Sequence, residues 1–279
     1  MSPVRIALYQ AQSGVDPAVN ARALVGAVAE AAAGGARMLF TPEMSGMLDR
    51  DRERAMGKAR AEGDDAVLAA VRAAAAKHGI WVHLGSLAVL AEGGKLANRG
   101  FVIDDAGEVR GRYDKIHLFD VDLPTGESWR ESAMYRGGDE AVVVPGTPVG
   151  TLGLTICYDL RFPALFERLS EAGADVIAVP AAFTVPTGQA HWQVLMRARA
   201  IEAALFVVAA AQAGTHEDGR VTYGHSLVAD PWGEVLTELG DEPGLAFAEI
   251  DPGKIAEVRA RVPVMQHRRM VPPIMLPNK

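Results

Sequence analysis

Short runs of alternating apolar residues recur along this chain, and most are followed by an alanine-rich stretch that stops at glycine. Residues 4–9 (VRIALY), 37–40 (RMLF), 80–87 and 175–179 (DVIAV) read as strands. Residues 20–33 and 64–78 read as helices with glycine stops at Gly34 and Gly79. Strict alternation of this kind would build one parallel sheet covered on both faces. Two hairpins break it: residues 96–103 and 109–113 turn at Asp104-Asp105-Ala106-Gly107, and residues 142–144 meet the run 151–156 across Pro145-Gly146-Thr147-Pro148. Two stacked mixed sheets with helices outside fit this pattern better than a single doubly wound sheet.

The second half continues in the same mixed style. A helix is expected over residues 163–171 and another over 190–204, where Trp192, Leu195, Met196 and Ala200 share an apolar face and Arg199 and Glu202 are spaced for an ion pair. Residues 205–211 and 245–250 read as strands. Residues 226–229 and 235–239 flank the turn Asp230-Pro231-Trp232-Gly233, and a last helix runs from Asp251-Pro252 to about Arg261. Two stretches, 120–138 and 216–223, carry no clear period and read as loops, the first long enough to be a lid or binding loop. No repeat or composition break marks a boundary, so one domain is expected over residues 1–279, with 263–279 as an extended tail.

Composition excludes several function classes. A net charge of -7 offers no basic stripe for nucleic acid or an anionic membrane surface. No window approaches 18 uninterrupted apolar residues and no targeting segment is evident, so a soluble cytoplasmic protein is expected. The single cysteine rules out an intrachain disulfide or a multi-cysteine metal site, and no HExxH or paired His/Asp spacing points to metal chemistry.

That cysteine, Cys157, follows a period-2 run (Leu152, Leu154, Ile156) and precedes Asp159, Arg161 and Pro163. A side chain at a strand end stands at the rim where α/β proteins bind ligands. A free cysteine is also among the most buried residue types and commonly packs as a small hydrophobe. Glu43, just after residues 37–40 and Pro42, and Lys115, just after 109–113, stand in the same position relative to their strands. If the three strand ends converge, the set is chemically complete for acyl transfer through a thioester. The carboxylate takes the thiol proton and later activates water, and the ammonium holds the charge on a tetrahedral oxygen. His117, His191 and His225 are the competing bases of an alternative Cys–His pair.

Three motifs, FTPEM around Glu43, YDKIHL around Lys115 and GLTICYDLRFP around Cys157, occur in an order that resembles the carbon–nitrogen hydrolase (nitrilase) superfamily along nearly the whole chain. The resemblance implies a four-layer α-β-β-α sandwich, homodimers or larger homo-oligomers paired through the cysteine-side helices, no cofactor, and a Glu43–Lys115–Cys157 triad. It further implies that the Tyr158 N–H joins Lys115 at the oxyanion, and that a second glutamate stands in the loop after the lysine, with Glu131 a better match than Glu127. Tyr-Asp rather than Trp-Glu after the cysteine disfavours nitriles. Residues 187–192, 197–202 and 223–226 before the DPWGE run look like the Nit branch, which implies a small-molecule amide substrate. Deaminated glutathione, cleaved to 2-oxoglutarate and cysteinylglycine, is the first expectation. An ω-amidase acting on 2-oxoglutaramate, an N-carbamoyl amino-acid hydrolase and a non-catalytic binding member are the alternatives. Arg161, Arg130 and Phe183 are the candidates for binding substrate; Arg161 has the alternative of pairing with Asp159 to hold the turn.

Overall fold

The computed structural model describes residues 2–122, 126 and 128–275. Two six-strand runs face each other. The first is ordered Gly244–Ile250, Val4–Gln10, Met38–Phe40, Trp81–Leu90, Leu96–Ile103, Val109–Asp114, with Tyr135–Arg136 added beside Leu96–Ile103. The second is ordered Val235–Glu238, Leu227–Ala229, Phe206–Ala209, Val176–Ala178, Gly150–Leu154, Val143–Thr147. Each has the same plan, three central parallel strands with antiparallel strands on both flanks. The two sequence hairpins are antiparallel flanks of this plan.

Period-2 alternation decides what each strand face meets. In Val4–Gln10, Ile6 and Leu8 point between the sheets, where they join Met38 and Phe40 and, from the other sheet, Leu152, Leu154, Val176 and Val208. Ala7, Leu39, Val82 and Leu84 point the other way, onto Leu24, Val28, Leu68 and Val71 of the helices Pro17–Ala33 and Ala66–His78. The helices Pro163–Glu171 and Val185–Ala203 cover the second sheet with Phe166, Leu169, Trp192 and Met196. The result is a four-layer α-β-β-α sandwich. Asp16 and Asp65 cap the two first-sheet helices by accepting from Ala18 and Leu68 N–H.

Three stretches differ from the sequence reading. The helix expected from residue 190 begins at Val185, because Pro186 is tolerated in a first turn and Gly188 lies where a Cβ would stand 2.1 Å from Tyr223 Cγ. A tertiary contact thus explains why a glycine stands in the first turns of this helix. Residues 216–223 are not a plain loop, since Ala213–Thr215 and Val221–Tyr223 pair as a hairpin. Within 120–138, Asp120–Asp122 pairs with Ser128–Arg130, and the 3-10 turn Glu131–Ala133 follows. In both cases the strands are three residues long, too short to show a period. The Arg199–Glu202 pair forms at 2.8 Å. The tail makes one helical turn, Val264–His267, and Arg268 docks on Glu167 at 3.0 Å, beyond which Met270, Val271, Ile274 and Met275 are exposed.

Gly85 is packed between the Glu43 turn and Pro180 from beyond a strand of the second sheet. A Cβ there would lie 2.1 Å from Thr41 O, 2.5 Å from Pro42 O and 2.6 Å from Pro180 Cβ, two of them backbone atoms that cannot step aside. Gly85→Ala is therefore expected to destabilise the fold by about 1–3 kcal/mol and to displace the turn carrying Glu43. Denaturant midpoints equal to those of the parent protein would contradict this.

Candidate active site

The C-terminal ends of the central strands and of one flank open on a single cavity of about 310 Å³. Glu43 arrives after Met38–Phe40 on a turn clamped to the neighbouring strand: Gly85 N–H donates to Thr41 Oγ1, Met44 N–H to Ser86 Oγ, and Ser45 N–H to Ser86 O. Lys115 continues Val109–Asp114, with its N–H still donated to Asn98 O. Cys157 lies beyond Gly150–Leu154 and opens the 3-10 turn Cys157–Arg161. Glu43, Lys115, Glu131, Cys157, Tyr158 and Phe183 all line the cavity. Glu127 lies outside the described residues.

Cys157 is held in the left-handed region at φ 52°, a conformation that costs a non-glycine residue about 1–2 kcal/mol. Its N–H donates to Pro180 O, and Asp159 beneath it keeps the turn closed. The buried Asp159 carboxylate accepts from Tyr113 Oη at 2.7 Å, from Ile156 N–H at 2.9 Å, and from His117 through both its N–H and Nδ1, at 3.0 and 2.7 Å. Asp159 therefore does not pair with Arg161. Arg161 instead donates to His191 Nδ1 and lies over the Tyr158 and Phe183 rings, behind the cavity wall. Arg130 is in the wall but forms a bidentate pair with Asp122. The three histidine candidates are engaged elsewhere: His117 with Asp159, His191 with Arg161, and His225 with Glu238 at 3.3 Å.

At the cavity floor Lys115 Nζ lies 2.9 Å from Glu43 Oε1 and 2.8 Å from Glu131 Oε2, with the lysine 2% exposed. Burial by itself would favour the neutral amine, but the Glu131 and Glu43 carboxylates outweigh it and hold the lysine well above its ordinary range. An ammonium has three donors. They meet Glu43 Oε1 and both Glu131 oxygens, the longest contact being 3.1 Å to Glu131 Oε1, and that is the one an incoming oxygen would replace. Glu43 is held from three sides, its Oε1 also accepting from Asn98 Nδ2 at 2.8 Å and its Oε2 from Ala182 N–H at 2.9 Å. Glu131 accepts from Phe119 N–H and Asn98 Nδ2 as well. The Cys157 thiol is pushed well above the usual range, first by burial and then by the Glu43 carboxylate, with Lys115 opposing. Raised this far, the thiol stays protonated at neutral pH, so any reaction through its sulfur would need a base.

Asn98, the Ala182 N–H and Gln212, whose Nε2 donates to Glu43 O at 2.9 Å, are the site groups that sequence reasoning missed. Asn98 sits mid-strand, where only the buried position of an amide in an otherwise apolar sheet could have signalled it. A backbone N–H leaves no mark in a sequence.

The sequence pattern of the carbon–nitrogen hydrolase family matches residues 5–260. A Yersinia enterocolitica protein named deaminated glutathione amidase is 39% identical over 240 residues, covering 85% of this chain and 83% of that one. The crystal structure of the Caenorhabditis elegans NitFhit protein superposes with a TM-score of 0.89 at 38% identity, over 96% of this chain and 66% of that one. A variant of the amidase from Nesterenkonia sp. AN1, solved with acrylamide added at its active-site cysteine, superposes with a TM-score of 0.76 at 28% identity over 94% of this chain and 99% of that one.

Two outcomes are expected from this geometry. The midpoint of the pH dependence of Cys157 alkylation by iodoacetamide in the resting protein is expected well above ~8.5, the midpoint of an unperturbed thiol; a midpoint at or below that value would contradict the raised thiol. Asn98→Ala takes one donor from each buried carboxylate and is expected to lower stability by about 1–3 kcal/mol, read from denaturant unfolding.

Proposed function

The chain belongs to the carbon–nitrogen hydrolase family, and on that premise we propose that it is a cysteine-dependent amidase whose reaction runs on Glu43, Lys115 and Cys157. The observation that carries the reading is the shared cavity, where a thiol, a carboxylate with a lone pair left on Oε2 and a lysine ammonium line the same space. Cys157 Sγ attacks the amide carbonyl carbon while Glu43 takes the thiol proton. The oxygen becomes an oxyanion, held by Lys115 Nζ and by the Tyr158 N–H at the start of the 3-10 turn. Glu43 returns the proton to the leaving nitrogen as the C–N bond breaks. Water then gives a proton to Glu43, adds to the thioester carbon and releases the acid, and Cys157 regains its proton. Each oxyanion donor is worth on the order of 3–4 kcal/mol in comparable sites. Glu131 acts through Lys115 and is a positioning residue.

Deaminated glutathione is the substrate we assign, because the relative from Yersinia carries that activity in its name and the family pattern spans almost the whole chain. Hydrolysis of its amide releases 2-oxoglutarate and cysteinylglycine. The same reading takes the protein as a cytoplasmic homodimer. Support for pairing through the helix Val185–Ala203 comes from Val194 and Ile201, 67% and 48% exposed on that helix, and from the exposed apolar tail. Among the described residues no helix is long and apolar enough to cross a membrane.

A panel of deaminated glutathione, 2-oxoglutaramate and an N-carbamoyl amino acid tests the substrate, with deaminated glutathione expected to show the highest kcat/KM. Cys157→Ala is expected to abolish turnover with an unchanged unfolding midpoint; retained activity would end the thioester mechanism. Glu131→Gln is expected to lower kcat on the order of 10²-fold, by letting Lys115 drift, and to alter the pH–rate profile. An unchanged profile would reduce Glu131 to a structural part.

A further inference from the structure

The cavity carries opposite charge at its two depths. Its buried floor holds two carboxylates, Glu43 and Glu131, against the single Lys115 ammonium. Its wall nearer solvent holds Arg50, Arg52, Arg130 and Arg220. Arg130 is engaged by Asp122, and the wall's Asp49 is engaged by Arg54 at 2.6 and 2.8 Å. Arg50 and Arg52 have no ion pair among the described residues, and of the two only Arg50 lies over Trp129. Arg220 has a loose one, with Nη2 3.6 Å from Asp218 Oδ2.

Trp129 links the two arginines. The Arg220 guanidinium carbon lies 4.7 Å from its ring centre and that of Arg50 5.6 Å. Asp218, whose side chain is fully buried, accepts the backbone N–H of both Arg50 and Arg220, at 2.8 and 2.9 Å, and so ties the two segments together. Two donors in this cluster, Trp129 Nε1 and Arg220 Nε, are buried and have no hydrogen-bond partner among the described residues. A buried donor without an acceptor is costly, and few native ones stay that way.

From these donors we infer that Arg220 and Trp129, backed by Arg50, form a carboxylate subsite that reads a charged end of the amide substrate away from the bond that breaks. A carboxylate offers two acceptor oxygens for two orphaned N–H groups, and its charge suits a guanidinium. The floor repels the same group, because Glu43 and Glu131 outnumber Lys115. Charge therefore orients the substrate, with the neutral amide over Cys157 and the anionic end at Arg220. This rests on the amidase reading and adds the chemical class it selects, amides that carry a free carboxylate at a distance from the scissile carbonyl.

Binding separates the two ideas. Dissociation constants are measured by calorimetry in the Cys157→Ala background for three ligands: a 2-oxo ω-amide extended on nitrogen by a dipeptide acid, the same compound ending in a carboxamide, and the unextended ω-amide. Arg220→Gln is expected to weaken the extended acid about tenfold or more, the loss of one charge-assisted hydrogen bond. Trp129→Phe, which keeps the ring but removes the donor, is expected to weaken it about threefold or more. If the carboxamide is unaffected by Arg220→Gln, the subsite reads the leaving-amine carboxylate; if the unextended ω-amide weakens equally, it reads the acyl-side carboxylate. Arg220→Lys, which keeps the charge but not the fork, serves where Arg220→Gln fails to fold. Constants within twofold of the parent for all three ligands in Trp129→Phe and in a folded Arg220 variant would overturn the subsite. Normal responses in binding, with no turnover of any ligand by the Cys157 protein, would overturn the amidase reading and leave the subsite standing.

Discussion

A lysine ammonium closed away from solvent between two carboxylates is the constraint on which this structure turns. Lys115 is fully enclosed, and burial favours its neutral form until Glu131 and Glu43 are brought within 3 Å of it. Such a cluster contributes little net stability once desolvation is counted, yet losing one member leaves an uncompensated buried charge. The three groups therefore hold one another in place. Lys115 and Glu43 come from the first sheet, while the Ala182 N–H and Gln212 side chain that fasten Glu43 come from beyond strands of the second. Assembling the charge cluster and stacking the sheets are one event.

The shared plan of the two sheets explains where the site lies. Each has three parallel strands at its centre, and ligand sites form beyond the C-terminal ends of such strands, where successive connections diverge. Met38–Phe40 delivers Glu43 there, Gly150–Leu154 delivers Cys157, and Val176–Ala178 delivers Ala182 and Phe183. The left-handed backbone at Cys157 is the local cost of turning the thiol out of a strand into the cavity. It is offset by the Cys157–Pro180 bond and by Asp159, which gathers Tyr113, Ile156 and His117 under the turn. The cavity floor is thus rigid and net acidic, whereas its outer wall is basic and aromatic.

Much of the layer order was legible in the sequence, because a strand with one face on a partner sheet and the other on a helix leaves a period of two. Asp104-Asp105-Ala106-Gly107 and Pro145-Gly146-Thr147-Pro148 marked the hairpins through turn chemistry. The strand-end positions of Glu43, Lys115 and Cys157 were visible for the same reason. What escaped was written in contacts. The helix start at Val185 was missed because what Gly188 packs on, Tyr223, is distant in sequence, and Asp159 reads as a partner for Arg161 until Tyr113 and His117 are found holding it. Strands of three residues, such as Asp120–Asp122 and Val221–Tyr223, are below the length at which periodicity can be recognised.

The chain by itself determined which residues are apolar on which beat, where turns interrupt them, and that one thiol, one strand-end glutamate and one strand-end lysine were available for chemistry. Local propensity and patterning act over a few residues, so these features need no knowledge of the partner elements. Only the tertiary structure decided that Asn98 donates to both carboxylates, that a backbone N–H from residue 182 fixes Glu43, and that Arg50, Trp129 and Arg220 meet at one wall. Those are pairings between positions as much as 139 residues apart, and hydrogen bonds and charge interactions depend on distances of a few ångströms that no local pattern encodes.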